Sequence, residues 1–365
     1  MSVAIIVVVA AGMAAWHVAA QRKGSVPAAD TTVEGVFDDL PPQLRPPAQV
    51  ADLPSDRGVG RGALMYHLGT AAGGLDPDTR PFTQNDVYLV TRSGEHFRAG
   101  RTPAATGPLN LSLSSDGRWL AAKRDGQWRV RDLSGTAVYE VADGYEPWLW
   151  STDARSLLLA KLSVDGRSFG AMALPGGGVR SLDVRTSNLA TEVAFIAGRE
   201  LAVFDVNPPV GPSAPPELSI TLNDVVTGAT RTLPVVVPGQ TKPGEVVGPV
   251  LPLWHAGGSP PSIWVEVGRP DLLPTSAPEG MLVAPSVALL GVDVTSGAAT
   301  ARIEVPSIDA DGPQLCRGVV ADGVVLQRWT ATNTELIVVD PRRDVRRVVT
   351  TLPENVTVLA PGARA

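Results

Sequence analysis

The sequence predicts an all-β protein: a β-propeller of six four-stranded blades, preceded by one N-terminal transmembrane helix or signal anchor. Three observations predict it. Short runs rich in Val, Leu, Ile and Trp recur from residue 61 onward, separated by Gly or Asp turns. The chain holds 37 Gly and 33 Pro among 365 residues, too many breakers for a mainly helical fold and without the period of collagen. Residues 3–20 carry no charge, and His17 is their one strongly polar member.

At 1.5 Å per residue, a helix over 3–20 is about 27 Å long, close to the hydrocarbon thickness of a bilayer. The small residues Val18, Ala19 and Ala20 also fit a signal-peptidase site, so residues 1–20 read as a transmembrane helix or a signal peptide. Either implies export: a single-pass cell-membrane protein with its body outside the cytoplasm, or a secreted one if the segment is cleaved. Arg22 and Lys23 pull the other way, because basic residues after the apolar run favour a cytoplasmic C-terminal side. A start upstream of Met1, with a basic segment before the apolar run, resolves the conflict. Residues 21–60, with PPQLRPP at 41–47, read as a Pro-rich linker, with a short helix around 33–40 ended by Pro41 and Pro42.

Residues 61–362 form the propeller domain. Its clearest unit, 109–141, reads as four strands at 109–114, 118–123, 127–133 and 136–141, turning at Ser115-Asp116-Gly117, Asp125-Gly126 and Ser134-Gly135. Within it Trp128, Val130 and Asp132 point one way, and Gln127, Arg129 and Arg131 the other. A second unit pairs 147–162 with 168–184, placing Ser151-Thr152-Asp153 where Ser114-Ser115-Asp116 stands in the first. Three more units follow to residue 352. At the start, 62–69 and 86–99 supply three strands of a unit lacking its first, and 354–362 is a spare strand. A ring closes when the spare strand completes the N-terminal sheet. The count is six blades; five or seven remain open, because a divergent blade can hide in a Pro-rich insertion.

The segments LSSDGRWLAA and WSTDARSLLLA resemble the turn of TolB-like and WD40-like propeller repeats, where a small residue, Ser or Pro, Asp, Gly and a basic residue precede an apolar strand. VRDLSGT, LNDVVTGATRTL and GVDVTSGAATARI resemble their Asp-then-Gly turn. The Gly-His and Trp-Asp pairs of true WD40 blades are absent. The Arg and Ala-Gly-Pro-Val bias resembles that of high-GC, actinobacterial-type proteins. The resemblance implies a propeller fold and a habit of binding, with no particular reaction.

Formal charge −6 and few aromatics exclude an electrostatic nucleic-acid binder. The lone Cys316 excludes an intramolecular disulfide framework and a multi-thiolate metal site, and opens a strand as an apolar residue. GRSFG at 166–170 fits Gly-x-Ser-x-Gly, but Ser168 lacks the strand–turn–helix setting of a nucleophile elbow. His17, His67, His96 and His255 have no metal-ligand spacing. Asp76 with Asp78, and Asp309 with Asp311, lack the further ligands of a calcium loop. Arg342, Arg343, Arg346 and Arg347 read as a solvated outer strand. Trp119, Trp128, Trp148, Trp150, Trp254, Trp264 and Trp329 fall in strands, where packing between blades is their role. No catalytic, cofactor-binding or metal residue is assigned.

Loop length carries the functional expectation. In a four-stranded blade, the second-to-third connection and the connection to the next blade lie on one face of the disc. Those at 69–85, 207–216, 236–248, 268–286 and 305–314 are long and Gly/Pro-rich, whereas turns such as Ser93-Gly94, Ser134-Gly135, Thr227-Gly228 and Ser296-Gly297 on the other face are tight. The expected function is therefore non-enzymatic: a membrane-anchored extracytoplasmic propeller that binds a protein or cell-envelope component through its long-loop face, without nucleic acid or a small-molecule cofactor. Alternatives are an exported lyase or hydrolase acting in the central channel, and the sensor domain of a signalling protein.

Overall fold

The computed structural model describes residues 37–68, 85–102, 110–186, 192–196, 198–207, 217–237, 239–247, 254–256, 262–269, 286–305, 314–320, 323–330, 332–340, 345–353 and 356–362. Residues 1–36, with the expected membrane segment and the start of the linker, lie outside them. Among the described residues there is no helix, and none is long and apolar enough to cross a membrane.

Blade two shows how the sequence makes a sheet. Its strands are Leu111–Leu113, Trp119–Arg124, Gln127–Asp132 and Val138–Glu140, paired in that order. Asp125 and Gly126 take φ of 53° and 81°, the left-handed pair that a two-residue hairpin requires. The third strand buries alternate residues, Trp128, Val130 and Asp132, as its period-2 pattern demands.

Blade three is Glu146–Trp150, Ser156–Ser163, Gly166–Ala173 and Val179–Thr186; blade four is Glu192–Ile196, Glu200–Asn207, Glu217–Asp224 and Thr230–Pro234. Blade six is Gln314–Val320, Gly323–Trp329, Asn333–Asp340 and Val345–Pro353. Blade five has a divided first strand, because Trp254–Ala256 and Val246–Val247 pair with different halves of Ser262–Gly268, which is followed by Ser286–Asp293 and Ala299–Glu304. In blade one, Gly62–Leu68, Asn85–Thr91 and His96–Thr102 are completed by the C-terminal strand Val356–Leu359, with Met65 opposite Leu359 and Leu68 opposite Val356. The spare strand fills the missing place.

Closure of the ring follows from the cores. Six apolar clusters occur among the described residues, one in each gap between neighbouring blades, the last joining blade six to blade one. Each sheet feeds two gaps by alternation. In Ser156–Ser163, Leu157 and Leu159 face blade two, while Leu158 and Ala160 face blade four. Both faces of that strand are dry from Leu157 to Ala160, so it reads there as a continuous apolar run and not as a half-polar one. Six sheets packed cyclically define a six-bladed β-propeller.

The linker expected over 21–60 is corrected by the structure from Phe37 onward. Residues 37–40 form a turn and no helix. Phe37, Leu40, Leu44 and Leu53 are buried. Gln43 bridges in parallel to Thr351 of blade six, Ala51–Asp52 pairs in parallel with Phe97 and Arg98 of blade one, and Val59 N–H donates to Leu133 of blade two. The prolines at 41–47 keep this strap extended, and its spaced apolar residues cover the rim of three blades. Composition alone reads such a segment as solvated; the buried residues recur too irregularly for a pattern search.

Candidate functional site

The two faces of the ring differ in chemistry. On the turn face, the sequence repeat folds into a repeated hydrogen-bond network. Ser114 Oγ donates to Asp116 Oδ1 at 2.7 Å, Arg118 N–H donates to the same oxygen, and Trp119 N–H donates to Ser114 Oγ. Blade three repeats this through Ser151, Asp153, Arg155 and Ser156, with Ala154 at φ 55° in the place of Gly117 at 73°. Ser115 Oγ then lies 3.2 Å from the Ser151 carbonyl, joining the two turns across the gap.

A second layer explains the Asp-then-Gly motif. Asp132 accepts from Arg118 of the preceding turn and caps its own turn at Ser134 N–H; Asp224 does the same with Arg199, Val226 and Thr227. Burial works against the Asp132 carboxylate, yet Arg118 and the turn N–H hold it below the ordinary aspartate range. The Arg199 hydrogen bond, followed by those two backbone donors, holds Asp224 far below it. These groups are saturated by the fold itself, which makes the turn face a structural surface.

The described ends of the long connections lie on the opposite face. The described strand ends flanking 69–84, 208–216, 270–285 and 306–313 all belong to second-to-third or blade-to-blade connections, and antiparallel order places them on one side. The connection expected at 236–248 departs from a free loop. Val236 bridges to Ala298, and Glu245 accepts both Arg302 guanidinium nitrogens at 2.8 and 2.9 Å. Arg302 also binds Glu304, which Lys242 reaches at 2.8 Å. The Arg302 hydrogen bond, with that of Lys242, lowers Glu304 to about 2, against an ordinary 4.5.

On this loop face, a cleft of about 410 Å³ opens between blades two and three. Its walls come from the 125–126 hairpin and the 141–145 connection, and include Lys123, Gln127, Trp128, Asp143, Tyr145 and Glu146. Gln127 Nε2 donates to the Val141 carbonyl at 2.6 Å, tying the two segments together. Lys123 Nζ stands 3.3 Å from Glu146 and 5.8 Å from the Trp128 ring centre. Both Lys123 and Glu146 are substantially exposed, so their pair contributes at most about 1 kcal/mol and opens readily.

The remaining sequence candidates are not brought together. Ser168 lies mid-strand with Oγ 3.4 Å from the Lys161 carbonyl, in no elbow. His96 Nδ1 is 3.0 Å from the buried Tyr66 hydroxyl, and burial pushes the imidazole down and the phenol up. Which of the two donates is set by the imidazole tautomer. Trp119, Trp128, Trp150 and Trp264 are buried between blades. Arg346 reaches the Glu304 carbonyl and Arg347 reaches Asp38, so both fasten the rim. Asp76, Asp78, Asp309, Asp311, Arg342, Arg343 and His17 lie outside the described residues. Among the described residues, no group of three or more His, Cys, Asp or Glu is placed to hold a metal ion. Sequence reasoning missed the cleft because its polar residues are scattered over a hairpin end and a connection; the Gly126 and Gly144 turns were the available signal.

No family model matches the sequence, and no curated protein matches it. Among solved structures it is similar to TolB from Acinetobacter baumannii, at 14% identity and a TM-score of 0.44, covering 83% of this chain and 67% of that one. It is likewise similar to the β-propeller domain of the Trilobed protease from Pyrococcus furiosus, at 12% identity and 0.44, covering 81% and 84%. An oligogalacturonate lyase in complex with manganese follows at 11% identity and 0.38, covering 73% and 70%. The six-bladed assignment rests on the strand pairings and the six cores.

Proposed function

We propose that this chain is a non-enzymatic binding propeller, anchored to the membrane by residues 3–20 and displayed outside the cytoplasm, that engages a protein or cell-envelope component through its loop face. The asymmetry of the ring carries this reading. Turns on one face spend their polar groups on one another, while the long connections gather on the other, where a rigid scaffold presents them. Binding is preferred to catalysis because Ser168 bonds a strand carbonyl and His96 bonds Tyr66, so neither is aligned as nucleophile or base. The uncharged run at 3–20 supports export.

The test is proximity labelling from the full chain in its native cell, beside a variant lacking 269–284. Neighbours outside the cytoplasm that disappear with the deletion support the reading. An unchanged neighbour set, or a cytoplasmic one, contradicts it.

A further inference from the structure

We propose that the cleft between blades two and three is a carbohydrate site, taking one or two neutral pyranose units. Its walls are drawn from residues 123–162, so deletion of 269–284 removes none of them and the two ideas fail separately.

The cleft walls match the two surfaces of a sugar ring. Trp128, Tyr145 and Leu162 supply apolar surface for the C–H face. The carboxylates of Asp143 and Glu146 accept from hydroxyls, and Lys123 and the Tyr145 hydroxyl donate to them. Two carboxylates against one ammonium disfavour phosphate or another anion. A volume of about 410 Å³ is at the small end of ligand sites, the right order for one or two rings.

Trp128 gives a second, independent observation. Its side chain is 6% exposed, and its Nε1–H has no hydrogen-bond partner. Trp150 and Trp329 have found theirs, in Ser112 and the Val356 carbonyl. A buried donor left without an acceptor is costly, and Trp128 forms part of the cleft wall. Lys123 stands over the same indole and is held only by its exposed pair with Glu146. Its displacement bares the face of that ring to the cleft.

Full-length protein is titrated with N,N′-diacetylchitobiose and with maltose, following tryptophan fluorescence and saturation-transfer NMR of the sugar. Saturable binding of either is expected, weakened about tenfold or more by Trp128→Phe, which shrinks the bared ring face, and by Asp143→Asn, the loss that one charged hydrogen bond implies. Asp143 is exposed, so its variant leaves the fold intact. Trp264→Phe removes another unpartnered buried Nε1–H away from the cleft and is expected to change nothing. Sedimentation with insoluble cell-wall polysaccharide then separates a polymer ligand from a free sugar. Absence of saturable binding, equal binding by Asp143→Asn and wild type, or a response to choline in place of sugar overturns the proposal.

Discussion

Gln327 is fully buried on the second strand of blade six, and its side-chain amide acts as the missing strand partner for the seam of the ring. Nε2 donates to the Val356 carbonyl at 2.6 Å, and Oε1 accepts from Val358 N–H at 3.0 Å. Those groups lie two residues apart on one edge of the closing strand, and an uncovered edge would be left without partners. In Gln327→Leu the volume is nearly kept and both bonds are lost. Val358 N–H is left buried and unpaired, at a cost of about 1–3 kcal/mol, while the Val356 carbonyl keeps Trp329 Nε1 at 3.2 Å and loses a bond worth about 0.5–1.5 kcal/mol. The expected loss is about 2–4 kcal/mol, read as a lower urea midpoint at constant slope. Gln327→Glu serves Val358 N–H but sets a carboxylate oxygen against the Val356 carbonyl, and is expected to be at least as destabilising. A midpoint within error of wild type for Gln327→Leu would refute the latch.

The matched turns of blades two and three predict unequal effects for opposite exchanges. Gly117→Ala drives a Cβ to 1.8 Å from the Gly62 carbonyl oxygen at φ +73° and is expected to lose at least about 2 kcal/mol; Ala154→Gly relieves a left-handed alanine and is expected to change stability by less than about 1 kcal/mol, thermal melts deciding both. Leu44→Ala is expected to cost about 2–5 kcal/mol in urea unfolding, as for any buried leucine, whereas a dangling linker would show no change. Glu304 binds fewer protons folded than unfolded, so its contribution is complete above about pH 4.5 and is lost as pH falls through its folded value of about 2. Arg302→Met removes the cause, and is expected to lower stability at pH 7 and flatten the dependence between pH 4.5 and 2 in urea titrations.

Much of the architecture was legible because blades repeat. The Ser-x-Asp turns at 114 and 151 fold alike because the same side chains cap the same N–H groups, and the strand missing before residue 62 is found at 356–359. What escaped the sequence depends on contacts far apart along the chain. Phe37 and Leu44 look like isolated apolar residues in a proline-rich stretch until blades six and one are placed beside them. Glu245 reads as a loop charge until Arg302 arrives from a strand 57 residues away. The strand pattern marks Trp128 as packing between blades, where it is buried, but only the fold sets it beside Asp143 and Glu146 in one cleft.

The measurement that tests the division of labour between the faces most directly is photo-crosslinking in the native cell. A benzophenone amino acid replaces Ala72, Ser213 or Ala277 in the long connections, and Ser134, Thr227 or Ser296 in the tight turns. Adducts to a common neighbour from the first set, with none from the second, are the predicted result. Equal adducts from both sets, or adducts from the turns alone, would contradict it.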